Sequence, residues 1–241
     1  MTVTNRMRFA PPSFWVWGLK LGVVTVVCFA LVRQSRGEDS EEAMLKKCEA
    51  MMPRVATTTD VDLLYTCANF YWHHPQFDRT PAYAKEIKIY RRLLEVDPSN
   101  IDNYSLLSWF LWSDWVTWKK DPKKMPGGKN LAAEAVKVLE NGAKVHPKDG
   151  DYYYKAAQII EPLARHYLPE DYAFVIKNYL LADQFANRAY LKTQSRLFIA
   201  CIYRDQKKPK QAVAWYRKVL EVDPQNRDAL LNLKELGTAA K

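Results

Sequence analysis

The stretch Lys210-Gln-Ala-Val-Ala-Trp-Tyr-Arg-Lys-Val-Leu-Glu-Val-Asp-Pro-Gln-Asn226 decides how the rest of this chain is read. Ala212, Tyr216 and Val219 recur at helical spacing, so the segment folds as a helix with one apolar face. Asp223-Pro224 stops it, because proline lacks the backbone N–H that a helix needs, and Asn226 is placed to cap the helix that follows. Nearly the same words occur from Ile89 to Asn100, closing on Asp97-Pro98-Ser99-Asn100. A weaker version runs from Ala135 to Lys148 and closes on His146-Pro147-Lys148-Asp149. A segment repeated with this punctuation marks an array of like units, none of which can bury its apolar face alone.

Just before the last copy, Thr193 to Tyr203 supplies Arg196-x-x-Ile199-Ala200-x-x-Tyr203. Together the two segments resemble the tetratricopeptide repeat, a helix–turn–helix unit of about 34 residues. The first-helix pattern recurs in Leu64-x-x-Cys67-Ala68-x-x-Tyr71, Tyr104-x-x-Leu107-Ser108-x-x-Leu111 and Tyr153-x-x-Ala156-Ala157-x-x-Ile160. The resemblance implies an all-α fold, an α-solenoid of about four such hairpins over residues 59–241. The chain departs from the family pattern at Arg196, where an aromatic is usual, and at Gly142 and Leu93, which replace the second-helix alanine.

Composition agrees with helices. Only 8 of 241 residues are Gly, and a hydrophobic share of 48% suffices for a sizeable core. The net charge is +9, but Arg6, Arg8, Lys20, Arg33 and Arg36 all precede the first acid, Glu38, which leaves +4 for the remainder. So mild an excess argues against a nucleic-acid-binding domain.

Residues 1–13 form a basic N-terminal tail, and residues 14–32 are almost wholly apolar. A helix over that stretch rises about 28 Å, close to the hydrocarbon thickness of a bilayer. Trp15 and Trp17 sit where an interfacial belt belongs, and Lys20 can snorkel to the headgroups. The segment reads as a single-pass transmembrane anchor, with a cleaved secretory signal, and hence secretion, as the alternative. Arg6, Arg8 and Lys20 outnumber Arg33 and Arg36, which favours the repeats on the extracytoplasmic side.

Residues 33–58 read as a connector and a leading helix that ends near Pro53. Thr59 and Asp62 offer a capping box for the first repeat helix, and His73-His74-Pro75 stops it. The next first helix, residues 100–118, carries Trp109, Trp112, Trp115 and Trp118. Each step of three residues turns about 300°, so the stripe drifts and divides. Trp115 and Trp118 then join Tyr104, Leu107 and Leu111 on the core face, while Trp109 and Trp112 join Ser105 on the other. Pro162 should kink its helix or end it early. Ala182, Ala186 and Ala189 suggest a small-residue face on a helix over residues 170–190, and residues 228–241 read as a capping helix solvated by Lys234 and Glu235.

Motifs for catalysis are lacking: there is no GxSxG, HExxH or GxGxxG after a strand, and Gly127-Gly128-Lys129-Asn130 lacks the spacing and hydroxyl of a phosphate loop. The chain therefore reads as a non-enzyme without cofactor or metal. His73 and His74 diverge by about 100° on a helix, which suits a surface better than a metal site. Cys48 and Cys67 could pair if their helices are antiparallel, or could be two small buried hydrophobes. Lys119, Lys120, Lys123, Lys124 and Lys129 could meet nucleic acid or acidic lipid, or could lie in a solvated loop.

The family pattern implies a concave groove lined by the first helices. It would gather Tyr65, Asn69 and Trp72, then Ser105, Trp109 and Trp112, then Tyr154, Gln158 and Glu161, then Leu197, Cys201 and Arg204. Aromatics among polar neighbours suit a peptide or partner helix, unless these rings cover insertions of the chain itself. Of the lysine, asparagine and arginine that clamp a C-terminal carboxylate in some relatives, only Asn69 and Arg204 have counterparts. The expected function is a membrane-tethered protein-interaction scaffold, the alternatives being a structural subunit of a membrane or envelope assembly or a basic adaptor for nucleic acid or acidic lipid. Replacing Trp109 or Trp112 by Ala should then weaken partner capture and leave melting unchanged.

Overall fold

The computed structural model describes residues 40–74, 83–117 and 128–239. The expected tail and anchor, residues 1–13 and 14–32, and the lysine-rich stretch 118–127 lie outside them. Among the described residues no helix is long and apolar enough to cross a membrane. The chain divides into two compact units, Met1–Lys47 and Cys48–Lys241. Within the first, the Ser40 hydroxyl accepts the Ala43 N–H at 3.2 Å, and Glu41 and Glu42 follow in the first turn, where the helix dipole favours acids.

The described residues hold ten α-helices and no strand. They are α1 (Glu41–Met51), α2 (Val61–His73), α3 (Ala84–Val96), α4 (Ile101–Thr117), α5 (Gly128–Val145), α6 (Gly150–His166), α7 (Tyr172–Phe185), α8 (Ala189–Asp205), α9 (Pro209–Val222) and α10 (Arg227–Ala239). Four hairpins result, α2/α3, α4/α5, α6/α7 and α8/α9, and α10 packs on α9. Each hairpin leans on the next through α3 on α4, α5 on α6 and α7 on α8. First helices also touch, α4 against α6 and α6 against α8, which is what lines up one row of them.

The punctuation read from the sequence is made of Asx caps. The Asn226 carboxamide accepts the Ala229 N–H at 3.1 Å, as Asn100 accepts that of Asp102 at 2.9 Å and Asp149 that of Tyr152 at 3.1 Å. The expected box of Thr59 and Asp62 does not form. Asp60 caps α2 instead, accepting the Leu63 N–H at 2.9 Å, because the helix starts at Val61 and leaves Thr59 one residue outside the cap position. Helix α8 ends in a Schellman turn: Lys207 takes φ 58°, its N–H donates to the Arg204 carbonyl, and Lys208 N–H donates to the Tyr203 carbonyl, both at 2.9 Å.

Pro162 does not end α6, which continues to His166. The expected alanine face is corrected too. α7 stops at Phe185, so Ala182 is buried within it while Ala186 is an extended linker residue and Ala189 begins the next helix. Arg196, in the place of an aromatic, bridges three helices. Its Nε donates to Asp183 Oδ1 on α7 at 2.8 Å, and its Nη1 donates to the Lys218 carbonyl on α9 at 2.7 Å. The core of the last hairpin is Ala200, Ala212, Tyr216, Val219 and Ala229, with Leu197, Cys201 and Tyr203 packed against it. Cys48 and Cys67 are both buried.

Candidate partner-binding groove

The first helices carry the expected groove residues, but the structure sorts them by exposure. Trp72, near the end of α2, is 44% exposed, and Asn69 one turn earlier is exposed as well. Trp109 of α4 meets Trp72 edge to face, with ring centroids 5.0 Å apart and planes at 85°. Tyr83, entering α3, lies 6.3 Å from Trp72 and 5.8 Å from Trp109, and Phe110 lies 5.6 Å from Trp72. These four rings form one cluster shared by α2, α3 and α4.

The side of α4 that carries Ser105 and Trp112 does not present a surface. Ser105 is 6% exposed and Trp112 4% exposed, so neither lines an open groove. The reason is coverage by the neighbouring helices α3, α5 and α6. Asn103, Tyr104, Ser105, Leu107, Ser108, Phe110, Leu111, Trp112 and Ser113 are all buried, as befits a helix covered on nearly every side. Tyr104, Leu107 and Leu111 are core residues as expected, while the side chains of Trp115 and Trp118 lie outside the described set. Tyr65 is half-buried and tied down. Its hydroxyl lies 2.8 Å from Asp97 Oδ2 and 2.9 Å from Asn103 Oδ1, and it accepts the Asn100 amide N–H at 2.8 Å. Burial first, then the Asp97 carboxylate, pushes its pKa up to about 12.

On α6, Tyr154 is half-buried against Tyr179 and Phe198, with centroids 5.8 and 6.1 Å away, and burial raises its phenol pKa. Gln158 is half-exposed, whereas Glu161 is 1% exposed and bonded to Arg165. Burial pushes the Glu161 carboxyl above the ordinary range, and the Arg165 guanidinium pulls it partly back. Arg165 also lies 3.7 Å from Asp205 on α8. Arg204 donates to the same carboxylate at 2.9 Å and to Asn232 of α10 at 2.6 Å. Leu197 and Cys201 are half-buried, and the Cys201 thiol, 3.5 Å from the Tyr216 hydroxyl, is raised mainly by burial.

Two further pairs, Lys155 with Asp102 and Arg188 with Asp151, tie α6 to α4 and the start of α8 to α6. The basic groups Lys155, Arg165, Arg188 and Arg204 are therefore engaged by acids of the same chain. An acidic ligand would have to displace those acids. Among the described residues no group of three His, Cys, Asp or Glu is placed to hold a metal ion. The sequence reading missed Tyr83, Arg165, Asp205 and Asn232. Only Arg165 carried a legible signal, four residues after Glu161 on one helix. The others reach the site through chain turns and inter-helix packing that no local spacing encodes.

Residues 193–226 match the family model of the tetratricopeptide repeat. No curated protein matches the chain. Solved structures similar to this chain include the following two. The crystal structure of MamA protein shares 13% identity over 75% of this chain and 82% of its own, with a TM-score of 0.49. A thermophilic TPR protein of Thermus thermophilus, TTC0263, shares 17% identity over 89% of this chain and 96% of its own, also with a TM-score of 0.49.

Proposed function

We propose that this chain, a tetratricopeptide-repeat protein by the repeat at residues 193–226, is a non-enzymatic interaction scaffold that holds a protein partner on the row of its first helices. The reading is carried by Trp72, a large ring 44% exposed at the head of that row, in edge contact with Trp109 and beside the exposed amide of Asn69. An aromatic brings much contact area at low entropic cost, and a neighbouring amide fixes register through hydrogen bonds. Tyr154, Gln158, Leu197 and Arg204 continue the surface in this reading, whereas Ser105, Trp112 and Glu161 are buried and do not take part in it. In this reading the apolar stretch 14–32 tethers the scaffold to a membrane, with the repeats on the extracytoplasmic side.

The test is crosslinked pull-down of the intact protein from membranes, beside Trp72→Ala and a form starting at Glu38. Wild type should enrich a partner in the membrane fraction, Trp72→Ala should lose it, and the shortened form should keep it in solution. Equal capture by Trp72→Ala would count against the groove, and a soluble full-length chain against the tether.

A further inference from the structure

We propose that the outward face of the last hairpin, Lys207, Lys208, Lys210, Arg217 and Lys218, docks on an anionic lipid surface. This face belongs to the second helix of the hairpin and the turn before it, apart from the row of first helices. Charge singles it out. Residues 59–188 carry 17 Lys and Arg against 17 Asp and Glu, whereas residues 189–241 carry 11 against 5, so the positive excess of the repeats lies in their last hairpin and the helix that follows. The acids there are mostly engaged. Asp205 faces Arg204 at 2.9 Å, Glu221 lies 3.3 Å from Arg196, and Asp223 accepts the Asn226 amide N–H at 3.0 Å. All five cations of the face are exposed, and among the described residues none of them meets an acid. They form one surface: Lys210, Ala214, Arg217 and Lys218 recur at helical spacing on α9, opposite the buried Ala212, Tyr216 and Val219, and Lys207 and Lys208 lead into that helix.

Two apolar features decide between anionic partners. Lys218 holds its ammonium 3.9 Å over the half-buried Trp215 ring and Lys208 lies 5.9 Å over that of Tyr203, so cation and aromatic occur together as they do where side chains meet headgroups. α10, which packs on α9, exposes Leu230 and Leu231 at 45% and 56%, on the side of the helix that carries Arg227. The end of a helical stack is ordinarily polar, so two bare leucines there are a departure that a partner can relieve. A lipid surface answers both features: its phosphates take the cations, and the zone beneath them takes leucines and ring edges. A nucleic acid or a strongly acidic peptide answers the charge alone.

The test is lysine footprinting of the full chain with an amine-reactive reagent in lipid nanodiscs, which leave both sides of the bilayer open, read residue by residue by mass spectrometry. Discs with about 30% phosphatidylserine should slow modification of Lys207, Lys208, Lys210 and Lys218 about threefold or more relative to discs of phosphatidylcholine alone. Lys88, Lys137 and Lys177, exposed on the other second helices, should react alike in both. Salt at about 0.5 M should abolish the difference. Arg217→Glu, an exposed change, should remove most of the protection, and Leu230→Ser with Leu231→Ser part of it, while Trp72→Ala leaves it unchanged. Equal protection in neutral discs, or none in anionic ones, overturns the inference and leaves the groove reading standing. Protection that ignores the leucine pair, or that an acidic peptide or an oligonucleotide gives and the anionic discs do not, overturns the choice of lipid.

Discussion

The hydroxyl of Tyr152 occupies the place where a side chain on Gly142 would begin. A β-carbon built on Gly142 would lie 2.1 Å from that oxygen, 2.7 Å from Tyr152 Cζ and 2.8 Å from Tyr104 Cδ1. The hydroxyl in turn donates to the Leu139 carbonyl, so α5 and the start of α6 approach with nothing between them but a glycine. In the last hairpin the corresponding position, five residues before the proline, is Val219, buried in the core. The second hairpin accommodates two tyrosines there by giving up the side chain.

Gly142→Ala should therefore destabilise the protein by about 1–3 kcal/mol, since overpacking outweighs the roughly 1 kcal/mol gained in helix propensity. Chemical denaturation measures it. Pairing the change with Tyr152→Phe, which removes the nearest atom, should recover part of the loss. An unchanged midpoint for Gly142→Ala would mean that the two helices can slide apart freely.

Arg196 and Asp183 are mostly buried partners, with side chains 15% and 18% exposed. Arg196→Met should cost about 1–3 kcal/mol, because it strips a charged hydrogen bond from Asp183 and leaves that carboxylate without it. A double-mutant cycle with Asp183→Asn should show coupling. Strictly additive losses would reduce the arginine to a spacer.

Glu161 makes stability depend on pH in a definite direction. Its pKa is raised in the folded state, so the fold binds that proton more tightly than the unfolded chain does. The stability it contributes is complete below the ordinary glutamate pKa and is lost as pH rises through the raised value. Glu161→Gln removes that dependence. Its melting temperature should gain on the wild type as pH goes from about 4 to about 7. A difference that stays constant, or shrinks, would show that Arg165 overcompensates the burial.

Lys207 holds φ 58° at the end of α8. Glycine adopts that conformation without strain, so Lys207→Gly should stabilise by about 0.5–1 kcal/mol despite the extra freedom of the unfolded chain. A lower denaturation midpoint would refute this.

Trp72 and Trp112 should behave oppositely, although both belong to the expected groove set. Trp112 is buried, and Trp112→Ala should cost about 3–5 kcal/mol, enough to threaten folding. Trp72→Ala should shift melting little and act on binding, which paired thermal melts and titrations would separate. This replaces the expectation that Trp112→Ala leaves melting unchanged.

The array was legible because its determinants are local. Period, cap and stop lie within a few residues of one another, so Tyr216, Val219, Asp223-Pro224 and Asn226 announce a helix, its end and the next beginning without reference to the rest of the chain. Tertiary structure alone decided which groove residues are open. Ser105 and Trp112 share a helix face with Trp109 and differ from it only in what other helices cover, and burial is a property of neighbours distant in sequence. The same holds for the pairing of charges across the groove, where Arg165 finds Asp205 forty positions away, and for the ring cluster, which assembles from three helices. Helical periodicity can place a side chain on a face; only packing determines whether that face meets water.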